Sequence, residues 1–370
     1  MTAPESSGRA SKIDTLIGIR GFAAIWVVLY HFRILLDYAL PAPAWDGLRA
    51  IVHKGFLGLD LFSFLSGFVI SMTYAERLCK PSLSSAARYL WLRIARIYPL
   101  IVFVLLLFVA SHRWQSGAGH WREVWTNQSF WLQLLMLNGW GLESRWAWNV
   151  PSWSVSSEWL CYLLFPFAAP IVFRVKNAGV AISLALFTII ATGLAIKAMG
   201  KPYFGELLDT GVVRIGGEFL AGCWLHRAFS AGFGKRWPWG AIGSIAACAG
   251  VYLSTVDPKL AVFALAILVF ALAHQNQPLA WIFANRVSVY LGEISYSLYL
   301  VHWFVVKDVK TLSIGLLSWL PLGAYVLLLL GLLFALSSMT YVCVERPARA
   351  WMRRRLGAWP VGETRTAAMG

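Results

Sequence analysis

Charge is what this sequence has least of. Asp, Glu, Lys and Arg make up 13% of its 370 residues and hydrophobic side chains 59%, whereas a soluble domain carries about 25% charged residues. No stretch is polar enough to stand as a separate soluble domain. Paired cysteines are missing too. Cys79, Cys161, Cys223, Cys248 and Cys343 fall mostly inside apolar runs, with no CxxC and no Cys/His spacing of metal ligands. That gives no support to a disulfide framework or a zinc site and fits small buried hydrophobes. No cleavable signal peptide is read: the first apolar run has Arg20 near its start and no small-residue cleavage site after a short core. The first helix is therefore expected to stay attached as a span. No internal repeat and no low-complexity linker interrupts the chain, so it reads as one domain. Residues 1–12 form a cytoplasmic N-terminal segment, 13–354 a transmembrane domain and 355–370 a cytoplasmic tail.

What is present is apolar length. The runs 100–110, 180–196, 261–273 and 325–336 hold no charge at all, and 20 Trp and 22 Phe add more apolar area than one water-soluble core needs. A bilayer core of about 30 Å takes roughly 20 apolar residues per helix. The fold class is accordingly an all-α integral membrane protein with about ten transmembrane helices, over 15–38, 55–75, 96–112, 153–173, 178–197, 211–228, 238–254, 259–274, 287–306 and 317–343. The stretch 128–141 is too short to span and reads as a re-entrant or interfacial piece. It lies in the longest loop, 113–152, in or beside which sit Trp114, Trp121, Trp125, Trp131, Trp140, Trp146, Trp148 and Trp153. Trp favours the headgroup zone, and such a loop can roof a cavity.

The net charge is +15. In a soluble protein that balance suggests nucleic acid. Here the basic residues sit in short loops between apolar runs, so membrane topology explains them and no nucleic-acid partner is expected. With the N-terminus inside, 20 of the 32 Lys and Arg fall on the cytoplasmic side, which also puts the C-terminus in the cytoplasm.

Charge inside such spans marks function by default, because it costs at least about 2.5–3.5 kcal/mol on insertion scales. Arg20 and His31 share the first span; eleven residues bring a helix back to nearly the same face, roughly 16 Å further along. Arg20 can meet an anionic group near the inner surface. His31, deeper on the same stripe, reads either as a general base for a hydroxyl or as a histidine held by a packing hydrogen bond. Asp60 reads either as a carboxylate that orients the His31 imidazole or as an ion-pair residue. Arg93 and Arg96, three apart on one helical face, suit phosphates and equally suit inward positive charge. Glu158, one turn inside its span, either bonds an acceptor hydroxyl or His31, or is an acid favoured by the helix N-terminus. Glu218 and Glu293 are weaker candidates of the same kind.

Six segments together resemble the acyltransferase-3 superfamily of bacterial membrane acyltransferases: Arg20 with His31, GFLGLDLFSFLSGFVI (55–70), RYLWLRIARIYP (88–99), WSVSSEWLCYLLFP (153–166), ISYSLYLVHW (294–303) and VERPARAWMRR (344–354). They stand in the family's order and span residues 13–354. The resemblance implies a ten-helix core that takes an acyl group from acyl-CoA, with acetyl-CoA the first candidate, and transfers it to a hydroxyl of a carbohydrate or glycolipid-linked acceptor. A cell-surface or exported polysaccharide is the leading acceptor, an antibiotic or glucan sugar the alternative. It implies a multi-pass protein of the bacterial inner (plasma) membrane, with no bound cofactor and no metal.

The family's Arg-x10-His falls on Arg20 and His31, its Arg-x-x-Arg on Arg93 and Arg96, its block Asp on Asp60 and its block Glu on Glu158; the second Phe of the Asp block is Ser63 here. The implied roles are catalysis by His31 with Asp60 and Glu158, and donor contact by Arg20, Arg93 and Arg96. His31 would act as general base or as transient acyl carrier. Some members add an extracytoplasmic SGNH hydrolase-like domain. None follows the last span here, so any second transfer step is expected in the core or on a partner. The competing reading is a non-enzymatic multi-helix protein, a secondary transporter or a flippase-like binder. The lack of an inverted repeat counts against the transporter.

The topology gives a first testable outcome. Reporter fusions after residues 54, 87 and 370 should read outside, inside and inside. A C-terminus on the outer side would overturn the orientation.

Overall fold

The computed structural model describes residues 13–43, 45–117, 126–142, 147–204 and 207–355, and among them every regular element is helical. The expected segments 1–12 and 356–370, and Trp121, Trp125 and Trp146, lie outside the described residues. In chain order the helices are α1 (Asp14–Ala39), α2 (Asp46–Val52), α3 (Gly58–Tyr74), α4 (Leu83–Gly117), α5 (Asn127–Leu134), α6 (Ser152–Arg174), α7 (Ala178–Ala198), α8 (Leu207–Ser230), α9 (Trp239–Val256), α10 (Pro258–Ala273), α11 (Leu279–Phe283), α12 (Arg286–Phe304), α13 (Lys310–Ser313), α14 (Leu322–Thr340) and α15 (Arg346–Arg354). Single π-helical turns, Val305–Val309 and Tyr341–Glu345, come directly after α12 and α14.

The boundaries obey local chemistry. Side chains that accept a hydrogen bond from the first-turn backbone start four helices: Thr126 for α5, Asn177 for α7, Asp257 for α10 and Asn285 for α12. Each satisfies an N–H that the helix leaves without a partner. Pro258 in the first turn of α10 fits the same rule, since its missing N–H would have been unpaired there. The Asp257–Pro258 pair thus splits one long apolar stretch into α9 and α10.

Eight helical segments are long and apolar enough to cross a membrane: Asp14–Ala39, Asp46–Tyr74, Leu83–Trp114, Ser152–Arg174, Ala178–Ala198, Trp239–Val256, Arg286–Val309 and Leu322–Arg354. Two expected spans fall outside that set for different reasons. The one at 211–228 is part of α8, whose run is interrupted by Arg214 and Glu218. The one at 259–274 is α10, whose 16 residues reach only about 24 Å. α4 differs in the other sense: it begins at Leu83 and runs for 35 residues, about 52 Å, so Arg88, Arg93 and Arg96 lie within its length. The stretch expected to be re-entrant holds the eight-residue α5, which returns to the start of α6 through hydrogen bonds from Gln133 and Asn138 to the Ser152 hydroxyl.

Between apolar helices in lipid, close van der Waals approach through small residues replaces the hydrophobic drive. α1 lies along α12, and α3 along α8. At the second interface a Cβ on Gly67 would collide with the Phe219 carbonyl, and one on Gly222 with the Phe64 carbonyl. Two glycines, one from each helix, thus set this separation. This contact places Asp60 of α3 beside Arg214 of α8.

Gly67→Ile should therefore force α3 from α8 and lower stability by about 1–3 kcal/mol or more, read as a fall in unfolding temperature in detergent. Gly193→Ala in α7, where an added Cβ meets nothing within 4 Å, should leave it unchanged. Equal unfolding temperatures would show that the contact is not a constraint.

Candidate active site

Residues from α1, α3, α4, α6, α8 and α12 line two neighbouring cavities. The first, about 130 Å³, is lined by Arg20, Arg93, Arg96 and Glu158, with Ser66 and Tyr162. The second, about 510 Å³, holds His31 with Tyr30, Trp153, Arg214, Trp303 and Lys310. Leu59 and Tyr299 line both.

In the first cavity the three arginines are engaged very differently. Arg96 is paired with the buried Glu345, which also accepts from the Ser297 hydroxyl at 2.9 Å. Arg93 donates to the Tyr74 hydroxyl at 2.7 Å, and its buried Nε finds no partner among the described residues. The Arg93 guanidinium lies 4.9 Å from the Tyr74 ring and 5.8 Å from that of Tyr162, within cation–π range. Arg20 makes no hydrogen bond or ion pair to any described residue; Arg96, Glu158, Tyr162 and Glu345 make up its electrostatic surroundings. On the opposite wall the Tyr162 hydroxyl donates to Glu158 at 2.7 Å and lies 3.1 Å from the Ser66 hydroxyl. The cavity therefore presents more positive than negative charge, with two arginines that lack a carboxylate partner among the described residues.

In the second cavity His31 Nδ1 lies 2.9 Å from the Val27 carbonyl. A carbonyl only accepts, so in the neutral ring Nδ1 carries the hydrogen and Nε2 keeps its lone pair. His302 repeats the arrangement: its Nδ1 bonds the Tyr299 carbonyl, and its buried Nε2 has no partner among the described residues. The two imidazole centroids are 4.9 Å apart, and the Trp303 ring stands edge-on to His31 at 5.3 Å. Two imidazoles, each fixed as a tautomer by its own helix backbone, thus stand side by side, His31 at the cavity wall and His302 fully buried behind it. Such a ring can take a proton from a hydroxyl or act as a nucleophile. No group of three or more His, Cys, Asp or Glu able to hold a metal ion occurs among the described residues.

The model of an acyltransferase domain family, acyltransferase-3, matches residues 13–343. The chain belongs to the acyltransferase-3 family. It is a membrane acyltransferase. It is similar to the acyltransferase MdmB of Streptomyces mycarofaciens, with 26% identity covering 94% of each chain. It is 21% identical to the O-acetyltransferase OatA of Staphylococcus aureus over 90% of its own length, and spans 57% of that longer protein. A shorter match, 35% identical over 105 residues, is to protein 2 in the picA locus of Rhizobium radiobacter, covering 28% of this chain and 48% of that one. No solved structure matches.

For this acyltransferase the structure brings Arg20, Arg93, Arg96 and Glu158 to one cavity and His31 to the next. Three expected contacts take other partners. Asp60 does not orient His31. It is wholly buried and lines neither cavity; Arg214 Nε donates to its Oδ1 at 2.9 Å and Arg214 Nη2 to its Oδ2. Glu158 reaches Tyr162, not His31, and lines the first cavity, whereas Trp153 near the start of α6 lines the second with His31. Arg96 is neutralised by Glu345, leaving Arg93 and Arg20 as the open cations of this cavity's described lining.

Sequence reasoning passes over Arg214, Glu345 and His302. Glu345 carries a signal, as the single acid in the basic segment 344–354, and His302 stands in the segment 294–303 that bears the family resemblance. Arg214 has only its place in an apolar run.

Asp60→Asn tests which part Asp60 plays. It leaves a buried arginine with less counter-charge, which should cost about 3–5 kcal/mol and lower the unfolding temperature sharply. Replacing the cluster together, Asp60→Leu with Arg214→Met and Glu218→Gln, should recover most of the stability, since Glu218 also lies against Arg214 at 3.6 Å. A role in orienting His31 instead predicts normal unfolding of Asp60→Asn with lost turnover.

Proposed function

We propose that this protein is an O-acyltransferase of the bacterial inner (plasma) membrane. It moves an acyl group, acetyl first, from cytoplasmic acyl-CoA to a hydroxyl of a carbohydrate acceptor, a cell-surface or exported polysaccharide. The observation that carries the reading is the adjacency of the two cavities: an arginine-rich one that meets, at Leu59 and Tyr299, one walled by His31. With the N-terminus in the cytoplasm, Arg20 lies nearer that side than His31, so the arginines face the donor. The names of the relatives, an acyltransferase and an O-acetyltransferase, support the reaction class.

The chemistry comes from the groups available. Arg20 and Arg93 attract the anionic CoA through charge-assisted hydrogen bonds, while the thioester arm enters the membrane interior. In the second cavity His31 Nε2 takes the proton of the acceptor hydroxyl. The oxygen adds to the thioester carbonyl, the carbon–sulfur bond breaks, and CoA leaves as a thiolate that is then protonated. The His302 ring packs beside His31, centroids 4.9 Å apart, and so limits how the His31 ring can turn. The aromatic lining of this cavity, Tyr30, Phe56, Trp153, Phe204 and Trp303, suits the C–H faces of a sugar.

His31→Gln keeps volume and one hydrogen bond but cannot accept the proton. Equal amounts of folded wild type and variant, supplied with labelled acetyl-CoA and a bacterial glycan extract, should differ by about 10²–10⁴-fold in transfer, with acetyl-CoA binding retained. Near-normal transfer by the variant would remove His31 from the chemistry. No acetyl-CoA binding by the wild type would remove the donor.

A further inference from the structure

We infer that Leu59 and Tyr299 form the gate between the two cavities, and that the width of this gate selects which acyl groups the enzyme transfers. The inference rests on the acyl-CoA reading above. It starts from a feature of the lining: among the described residues these two side chains alone face both cavities, and each is buried. A thioester arm entering on the side of Arg20 and Arg93 passes between them to reach His31.

The two sides of the gate differ in stiffness. Tyr299 is pinned. Its hydroxyl donates to the Pro151 carbonyl at 2.6 Å and lies 2.7 Å from the Ser154 hydroxyl, while its carbonyl holds His302 Nδ1. Its ring is flanked by Phe62 and by His302. Moving Tyr299 would break two short hydrogen bonds and disturb the imidazole beside His31. Leu59 has a fixed backbone and an unanchored side chain. Gly58 before it packs on the Ala23 carbonyl and Val27, and Asp60 after it is locked to Arg214. The isopropyl group beyond Cβ makes no polar contact and can change rotamer. Tyr299 is therefore the wall and Leu59 the leaf.

Such a gate discriminates by cross-section. An unbranched acyl group on its thioester passes by displacing one leucine rotamer. A branched group at the α-carbon must push on Tyr299 as well. Charge does not add to the selection, since Arg33 and Lys310 line the cavity beyond the gate as Arg20 and Arg93 line the one before it. Acetyl is thus favoured over isobutyryl and pivaloyl, and the residue that sets the bore is Leu59.

The test is thiol release from acetyl-, isobutyryl- and pivaloyl-CoA by the full-length protein in detergent, with and without glycan extract. Wild type should prefer acetyl-CoA in kcat/KM. Leu59→Ala should raise the isobutyryl-to-acetyl ratio by about 10-fold or more, the scale on which single methyl groups are discriminated in a pocket. It should also raise thiol release without acceptor, as water gains the passage. Leu59→Phe should act in the opposite sense and slow even acetyl-CoA while acetyl-CoA still binds, so the inference stays testable if the alanine variant folds poorly. An unchanged acyl preference in both variants, with acetyl turnover intact, would overturn the gate. Absence of acetyl-CoA binding or cleavage by the wild type would instead overturn the donor reading.

Discussion

Arg214 is the constraint around which the polar interior is built. Its side chain is 1% exposed, inside a helix bundle suited to lipid. A guanidinium there persists only with counter-charge and hydrogen bonds supplied by the protein itself. Asp60 gives both carboxylate oxygens, Glu218 lies one turn away at 3.6 Å, and the Phe204 ring lies 4.6 Å from the guanidinium. Glu218 in turn accepts from the Tyr203 hydroxyl at 2.9 Å. The cluster ties α3 to α8, where glycines bring the backbones together. It therefore fixes Leu59, one residue before Asp60, and with it the junction of the two cavities.

Partnership of this kind separates structural charges from available ones. Arg96 and Arg214 have carboxylate partners and so act as joints between helices. Arg20 and Arg93 lack them among the described residues and face open space. His31 and His302 each use Nδ1 on a backbone carbonyl and leave Nε2 for another partner. An unsatisfied polar group is expensive in such a medium, and of those here Arg20, Arg93 and His31 also face the cavities, where a bound molecule can supply the partner. This criterion points at a donor with negative charge on one side of the gate and a proton-bearing acceptor on the other.

Much of this is legible in the residues. Long charge-free runs indicate an all-helical membrane fold, and the motif residues Arg20, Arg93, Arg96 and Glu158 do meet at one cavity. Partnership is what a linear reading lacks. Asp60 and Arg214 lie 154 positions apart and Arg96 and Glu345 lie 249 apart, and no periodicity links such pairs. A reading from sequence alone therefore leaves Asp60 open between orienting His31 and an ion pair, and names no partner for the pair; the structure gives the ion pair, with Arg214 of α8. The span count differs for a related reason. The reading includes 211–228 as a span, while Arg214 and Glu218 leave α8 outside the eight helices apolar enough to cross, and Asp60 is what meets that arginine inside the bundle. Leu59 carries no signal at all, since an aliphatic residue in a helix of aliphatic residues declares nothing until its two neighbours are seen to be fixed.

Two π-helical turns show how the backbone itself serves the site. A π turn inserts one extra residue into a helix, rotating the later turns relative to the earlier ones, and such turns recur at functional positions. Tyr341–Glu345 ends α14, a helix whose exposed face carries Leu327, Leu328 and Leu332. Without the extra residue, the next helix face would keep the register of that lipid-facing stripe. With it, Glu345 is buried against Arg96 and Ser297 while Arg353 and Arg354 of α15 stay exposed. Val305–Val309 does the equivalent after α12. His302 and Tyr299 lie on the preceding turns; within the π turn Val306 lines the His31 cavity and Asp308 is buried against Ser111 of α4, and Lys310 just beyond it lines the same cavity. Each insertion lets one continuous helix meet lipid along one segment and present polar groups to the interior along the next, which an unbroken 3.6-residue repeat cannot do.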